Sequence, residues 1–362
     1  MALSKDLYKN RRDNKLLNNF KGDYGYPFLG KTLSLIKNPY SLMQEHYDKY
    51  GPISRMAIVK GQRTLLMLGP EFNEALLFDR HQNFSTGMAY KSSLGNFYEG
   101  GLLLRDSDDH KKIRRSTQPA FKTESLRDYV EMIQPIQANH LDNMPVGIDF
   151  TFFPRIKETL LDVASNVFVG LNSLGKDAQK LNENFVAISD GLVTSLPLPI
   201  PFTPFWKALR AKNQLRNFFE RRIERRRTDE RLDTFSQVTK AKTEEGDFLK
   251  DGDISGHMSF LLFAAHDTTT STLMNMMYHL GKNKPWQDRL RKEVFSVSKD
   301  ILDFEDLNRL VDFELVFKEI LRLHPSVMML SRRSINETEI AGHIIPADTN
   351  LTLGTCFVPR MS

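Results

Sequence analysis

The chain has 362 residues, of which 40% are hydrophobic and 26% charged, with a formal net charge of +5. Its single cysteine, Cys356, excludes an internal disulfide and fits a reducing compartment. No window holds eighteen uninterrupted apolar residues, and the first twenty are rich in Lys, Arg, Asn and Asp, so the expectation is a cytoplasmic protein with no signal peptide and no transmembrane anchor.

Residues 1–25 read as a polar arm, and Tyr26 to Gly30 as a turn-like entry to the domain 26–362. Pro39 to Tyr50 has helical spacing, with Leu42, His46 and Tyr47 on one side. Ile53 to Val59 and Thr64 to Leu68 read as two strands of a hairpin turning at Lys60-Gly61-Gln62. Pro70 to Phe78 reads as a helix. Asn83 to Gly101, rich in Gly, Ser and aromatic residues, reads as a long loop, of a length that is usually functional or mobile.

Asp106, Ser107, Asp108 and Asp109 suit a helix start. In the helix that follows, His110 and Arg114 are four apart and share a face, where two donors can hold a carboxylate or phosphate. A solvated basic face is the simpler reading of that pair taken alone. Residues 124–243 are mostly helical by period, with amphipathic runs at Pro154 to Asn172 and Asp177 to Leu192. Leu196 to Pro204 is an apolar segment broken by prolines and can be neither helix nor central strand. Such a loop suggests an entrance for an apolar ligand or is a packed connector. Thr203 to Thr228 reads as one long helix whose arginines, Arg221 to Arg227, form a solvated end favoured by the helix dipole. Basic and acidic residues are otherwise mixed, which argues against nucleic acid as a partner.

The stretch Asp253 to Gly281 reads as a helix that starts at Asp253 and stops at Gly281. Met258 to Ala265 is apolar on nearly every side, marking a buried helix. His266, Asp267, Thr268, Thr269 and Thr270 then break the pattern. A buried carboxylate must be paired, wet or functional. Thr268 is placed to bond the carbonyl of Ala264 and bend the axis, and Ala264 and Ala265 leave room for a flat ligand. A polar patch facing a cavity or another helix is the plainer account. Asn283 to Ser296, Phe304 to Arg309 and Phe313 to His324 read as further helices. Glu319 and Arg322 are three apart in the last of these, amid apolar residues that would partly bury them. Ser334 to Leu353 reads as short β segments with a proline turn at Pro346. No histidine pair has metal-ligand spacing; His257, His266 and His279 are nine and thirteen apart.

Four of these stretches together resemble the cytochrome P-450 family of heme-thiolate monooxygenases. Ala264-Ala265-His266-Asp267-Thr268-Thr269 is similar to the oxygen-binding motif of the family's long helix, with Ala265 where glycine is more usual. Lys318 to Pro325 resembles the Glu-x-x-Arg helix. His110 to Arg114, followed by Gln118-Pro119-Ala120-Phe121, resembles the helix that binds heme propionates. Arg332 falls where a further propionate arginine is expected, with Arg333 beside it. The likeness runs from about Pro27 to about Val358.

The resemblance implies a mainly α fold with a small β region. It also implies heme b beside the central helix, an apolar substrate such as a fatty acid, terpene or sterol, and a ferredoxin or reductase passing electrons from NAD(P)H. By the same likeness Asp267 and Thr268 are catalytic and deliver protons to the distal oxygen. Ala264 and Ala265 form the oxygen groove; His110, Arg114 and Arg332 bind the cofactor; Glu319 and Arg322 are structural. The family's iron is held by a cysteine thiolate in a Phe-x-x-Gly-x-x-x-Cys-x-Gly loop. Cys356 does not stand in such a loop: Val358 replaces its glycine, and it follows Arg322 by only 34 residues. The resemblance therefore implies a fold incomplete at the C-terminus, without its cysteine-ligand loop. The alternative is a non-catalytic remnant, either a helical scaffold or a weak heme or lipid binder.

Overall fold

The computed structural model describes residues 16–27, 29–58, 62–172, 175–192, 194 and 198–361. Fourteen α-helices are seen among them: α1 Thr32–Lys37, α2 Pro39–Tyr50, α3 Pro70–Phe78, α4 Thr86–Leu94, α5 Ser107–Thr117, α6 Thr123–Asp142, α7 Phe152–Val169, α8 Lys176–Leu192, α9 Pro204–Glu220, α10 Ile223–Arg227, α11 Thr234–Lys240, α12 Asp251–Gly281, α13 Lys284–Ser296 and α14 Val311–Leu323. The strands are β1 Ile53–Ile58, β2 Gln62–Met67, β3 Phe84–Ser85, β4 Leu330–Ser334, β5 Thr338–Ile340, β6 His343–Ile345 and β7 Asn350–Leu353. The chain divides into two compact units, one of residues 1–90 with 322–362, the other of residues 91–321.

The first unit is built on a five-stranded sheet in the order β1-β2-β7-β4-β3. β1 and β2 form the expected antiparallel hairpin; its turn, residues 59–61, lies outside the described residues. β2 then pairs in parallel with β7. Leu65, Leu66, Met67 and Leu68 are all fully buried, because this sheet is covered on both faces. Successive side chains point to opposite faces. Leu65 and Met67 accordingly join Ile53, Phe72, Leu76 and Leu351, whereas Leu66 and Leu68 join Met43, Met56 and Cys356.

Residues 16–25, expected to belong to the polar arm, are tied to this sheet. Leu17 is buried in the first of those clusters, and Gly22 bridges to Arg55. Residues 1–15 lie outside the described residues. Tyr26 and Gly30 exchange backbone hydrogen bonds, as a turn-like entry requires. Asn38 caps α2 by accepting from the Ser41 amide, and Pro39 opens it.

Asn83 to Gly101 is not one loop. It holds β3 and α4, and α4 is started by the Ser85 hydroxyl accepting from the Met88 amide at 2.8 Å. Its Gly and Ser content hides the helix from propensity, while this local bond supplies the nucleus.

The second unit is helical. α8 packs along α9, and α12 packs on α7 and α9. The run expected as one helix from Thr203 to Thr228 is two, α9 and α10, broken at Arg221 and Arg222. Nor are all its arginines solvated. Arg226 is 5% exposed and donates to Asp233 at 2.9 Å, to Ser236 at 3.0 Å and to the Val169 carbonyl at 2.6 Å. The buried carboxylate of Asp233 caps α11 while pairing with this arginine of α10. The next helix, α12, runs without interruption and starts at Asp251 rather than Asp253.

Candidate functional site

Asp253 is free of capping duty because α12 begins a residue pair earlier, and it pairs instead with Arg105 at 2.5 Å. The same guanidinium bonds the Gly100 carbonyl at 3.0 Å and Asp109 at 2.8 Å. This clamp holds residues 98–105 against the first turns of α12. Gly256 makes the approach possible: a Cβ there would lie 2.4 Å from the Glu99 carbonyl oxygen. The α12 residues Gly256, Phe260, Phe263 and Asp267 follow one another at helical spacing and form one stripe. Tyr98 stacks on Phe263 with ring centroids 4.7 Å apart and meets Phe260 edge-on. Burial, with the field of Asp267 behind it, pushes its phenol well above the ordinary value.

Thr268 Oγ1 donates to the Ala264 carbonyl at 2.9 Å, as its spacing requires. Thr269, Thr270 and Thr272 do the same to Ala265, His266 and Thr268, so back-bonding runs through the whole threonine cluster. Ala264, Ala265 and Thr268 are half-buried, and Asp267 is exposed. His266 is buried, with Nδ1 2.9 Å from Asp267 Oδ1, Nε2 3.4 Å from the Lys157 carbonyl, and its ring edge-on to Phe185. The hydrogen bond from His266 holds the Asp267 carboxyl below the usual carboxylate range; burial opposes it, and Lys157 adds a smaller lowering. Sequence reading placed His266 in the polar patch without assigning it a task. Its adjacency to an acid gave no signal, because neighbouring helical residues do not ordinarily face each other.

His110 and Arg114 share a face of α5, as expected. Burial first and Arg114 second push the His110 imidazole down. In the other unit, on β4, Arg333 pairs with Asp348 at 2.7 Å, while Arg332 bonds the Ser331 carbonyl at 2.9 Å. Adjacent strand residues point to opposite faces, so only one of these arginines shares a face with any given ligand. Glu319 and Arg322 lie at exposed positions of α14 and not at the partly buried ones expected. Arg322 donates to the Pro359 carbonyl at 2.9 Å, and Arg360 donates to the carbonyl of Leu323.

Cys356 sits against Met43, with Sγ 3.6 Å from Sδ, in the apolar cluster beneath β2. Burial pushes its thiol up. A group to be ligated as a thiolate needs the opposite shift and an open approach. The residues of the helical unit fit heme in part: Ala264 and Ala265 on α12 are small enough to leave room for a flat macrocycle, and α5 carries the basic pair His110 and Arg114. Cys356 is buried beside Met43 rather than open to a ligand.

The family model for cytochrome P450 matches residues 21–360. This chain belongs to the cytochrome P450 family. It is 31% identical over 341 residues to a protein named cytochrome P450 136 from Mycobacterium tuberculosis, covering 91% of this chain and 68% of that one. It is 24% identical over 344 residues to taxane 13-alpha-hydroxylase from Taxus cuspidata, covering 90% of this chain and 70% of the hydroxylase. The solved structure titled "Retinoic acid bound cyanobacterial CYP120A1" superposes with a TM-score of 0.80 at 23% identity, covering 93% of this cytochrome P450 and 76% of that chain. The structural likeness supports the mainly α fold with its small β region. None of the described helices is long and apolar enough to cross a membrane.

Proposed function

We propose that this cytochrome P450 is a heme-dependent monooxygenase that inserts one oxygen atom of O2 into an apolar organic substrate. The observation that carries the reading is the acid and alcohol of Asp267 and Thr268, set directly after Ala264 and Ala265 on a long, largely buried helix. Heme, when bound, supplies the oxygen activation. Ala264 and Ala265 leave the helix surface open to a flat group. Thr268 donates its hydroxyl proton to the Ala264 carbonyl, which fixes the orientation of its oxygen on the helix. Exposed Asp267 exchanges protons between solvent and that point. His110 and Arg114 on α5 are cations for the propionates. Glu319 and Arg322 are structural.

The substrate class rests on the exposed apolar residues Leu198, Ile200 and Phe202 before α9 and on the aromatic stripe of α12. Residues 195–197 of that segment lie outside the described residues. The names of the hydroxylase and of the retinoic acid complex agree with a large apolar substrate. Electrons reach such a site from NAD(P)H through a ferredoxin or reductase, and the protein works in the cytoplasm.

Cys356 favours a second reading for the chain as it stands: with no accessible thiol it acts as a helical scaffold or a weak heme or lipid binder. The spectrum of the reduced, carbon-monoxide form of the heme-loaded chain separates the two. A red-shifted thiolate band would sink the assignment of Cys356 as a packing residue. Heme that binds without that band supports it, and failure to bind heme at all removes the monooxygenase reading for this chain.

A further inference from the structure

The Asp267 side chain is 50% exposed, whereas its partner His266 is 1% exposed. A carboxylate on an open helix face has several rotamers, and its i+1 and i−1 neighbours normally point elsewhere. Here it is turned along the helix to meet the ring beside it. The ring itself cannot follow, because Phe185 on α8 packs edge-on against it and its Nε2 faces the Lys157 carbonyl on α7. The immobile member therefore sets the direction of the mobile one.

We propose that His266 is a positioning residue for Asp267: through Nδ1–H it holds Oδ1 and fixes the carboxylate's direction, so that Oδ2 is the oxygen left to exchange a proton. The inference rests on the reading of Asp267 as the proton-exchanging acid. Two ionisable groups act on that carboxylate, His266 through its hydrogen bond and Lys157 from α7 through its charge, while the buried Tyr98 phenol, which faces the same stripe, is pushed up and stays neutral where the carboxyl titrates. Phe185, the contact from α8, carries no charge. His266 and Lys157 both favour the ionised acid, and His266 is the larger of the two. Removing the ring nitrogen should leave an acid that protonates at higher pH and points in more than one direction.

The test uses the full chain without heme, so that it does not depend on turnover. Carboxyl carbon NMR follows the titration of Asp267, its signal assigned by its loss in Asp267→Asn. His266→Phe keeps a ring against Phe185 but removes the donor, and His266→Asn restores a donor. The titration midpoint should move up in His266→Phe and back down in His266→Asn, with unchanged helical circular dichroism. A midpoint unmoved in His266→Phe overturns the proposal, as does a rise that His266→Asn fails to reverse. If His266→Phe does not fold, Lys157→Met decides: a midpoint that rises as far as the ordinary carboxylate range would make the lysine the controlling group and refute the histidine. A separate absorbance titration with hemin reads the monooxygenase proposal. Failure there with a shifted midpoint here removes the function and keeps the pair.

Discussion

Asp233 and Arg226 show how much one pair of residues decides. Both are buried, at 1% and 6% side-chain exposure, and the carboxylate also accepts from the Ser236 amide at 3.0 Å. Burying two charges is not itself stabilising, but removing one partner leaves the other uncompensated. Asp233→Ala should therefore destabilise the helical unit by about 3–5 kcal/mol, read as a lowered urea midpoint. His257 tests a different rule. It is 4% exposed, and both its ring nitrogens lack a partner. Burial, with Arg105 adding to it, pushes the imidazole down from 6.5 to about 4. Because the folded value is depressed, the unfolded chain binds the extra proton between those two values, so stability is intact above about 6.5 and is lost as pH falls toward 4. The loss is at most roughly 3 kcal/mol. His257→Leu should flatten the thermal midpoint across that window, and an equally steep fall in the variant would place the titrating group elsewhere.

Most helices were legible because their signals are local. Pro39 and Pro70 open α2 and α3 where the sequence puts them, and the threonine cluster back-bonds as its spacing requires. The elements that sequence missed turn on single side chains that residue propensity does not register. The burial of Arg226 depends on Asp233, and α4 is concealed by its serines and glycine. Of the candidate site, Ala264, Asp267 and Thr268 fall on one helix as expected. The hold of His266 on Asp267 was not readable, since it depends on α7 and α8 packing around the ring. The approach of residues 99–101 to α12 belongs to this scale. Gly256→Ala would drive a methyl into the Glu99 carbonyl and the Gly100 backbone. Overpacking of this kind costs roughly 1–3 kcal/mol. A lowered thermal midpoint, with Tyr98 fluorescence altered, is expected; a neutral result would mean that the backbone of 99–101 moves aside easily.

The first unit takes its residues from both ends of the chain, and the intervening unit takes its own from one continuous stretch. A chain ended after Leu321 should lose β4 and β7, which pair with β3 and β2. Limited proteolysis of that truncated chain should cut freely within residues 16–90 and leave a helical core of residues 91–321. Protection of residues 16–90 would show that the hairpin and its helices stand without β7. The pairing of Leu65 with Leu351 also has a consequence for biosynthesis. At ordinary elongation rates β7 leaves the ribosome roughly 15–60 s after β2. Throughout that interval the greasy run Leu65–Leu68 has no parallel neighbour, and the nascent polypeptide depends on chaperones or on its own early hairpin to keep it from sticking to other chains.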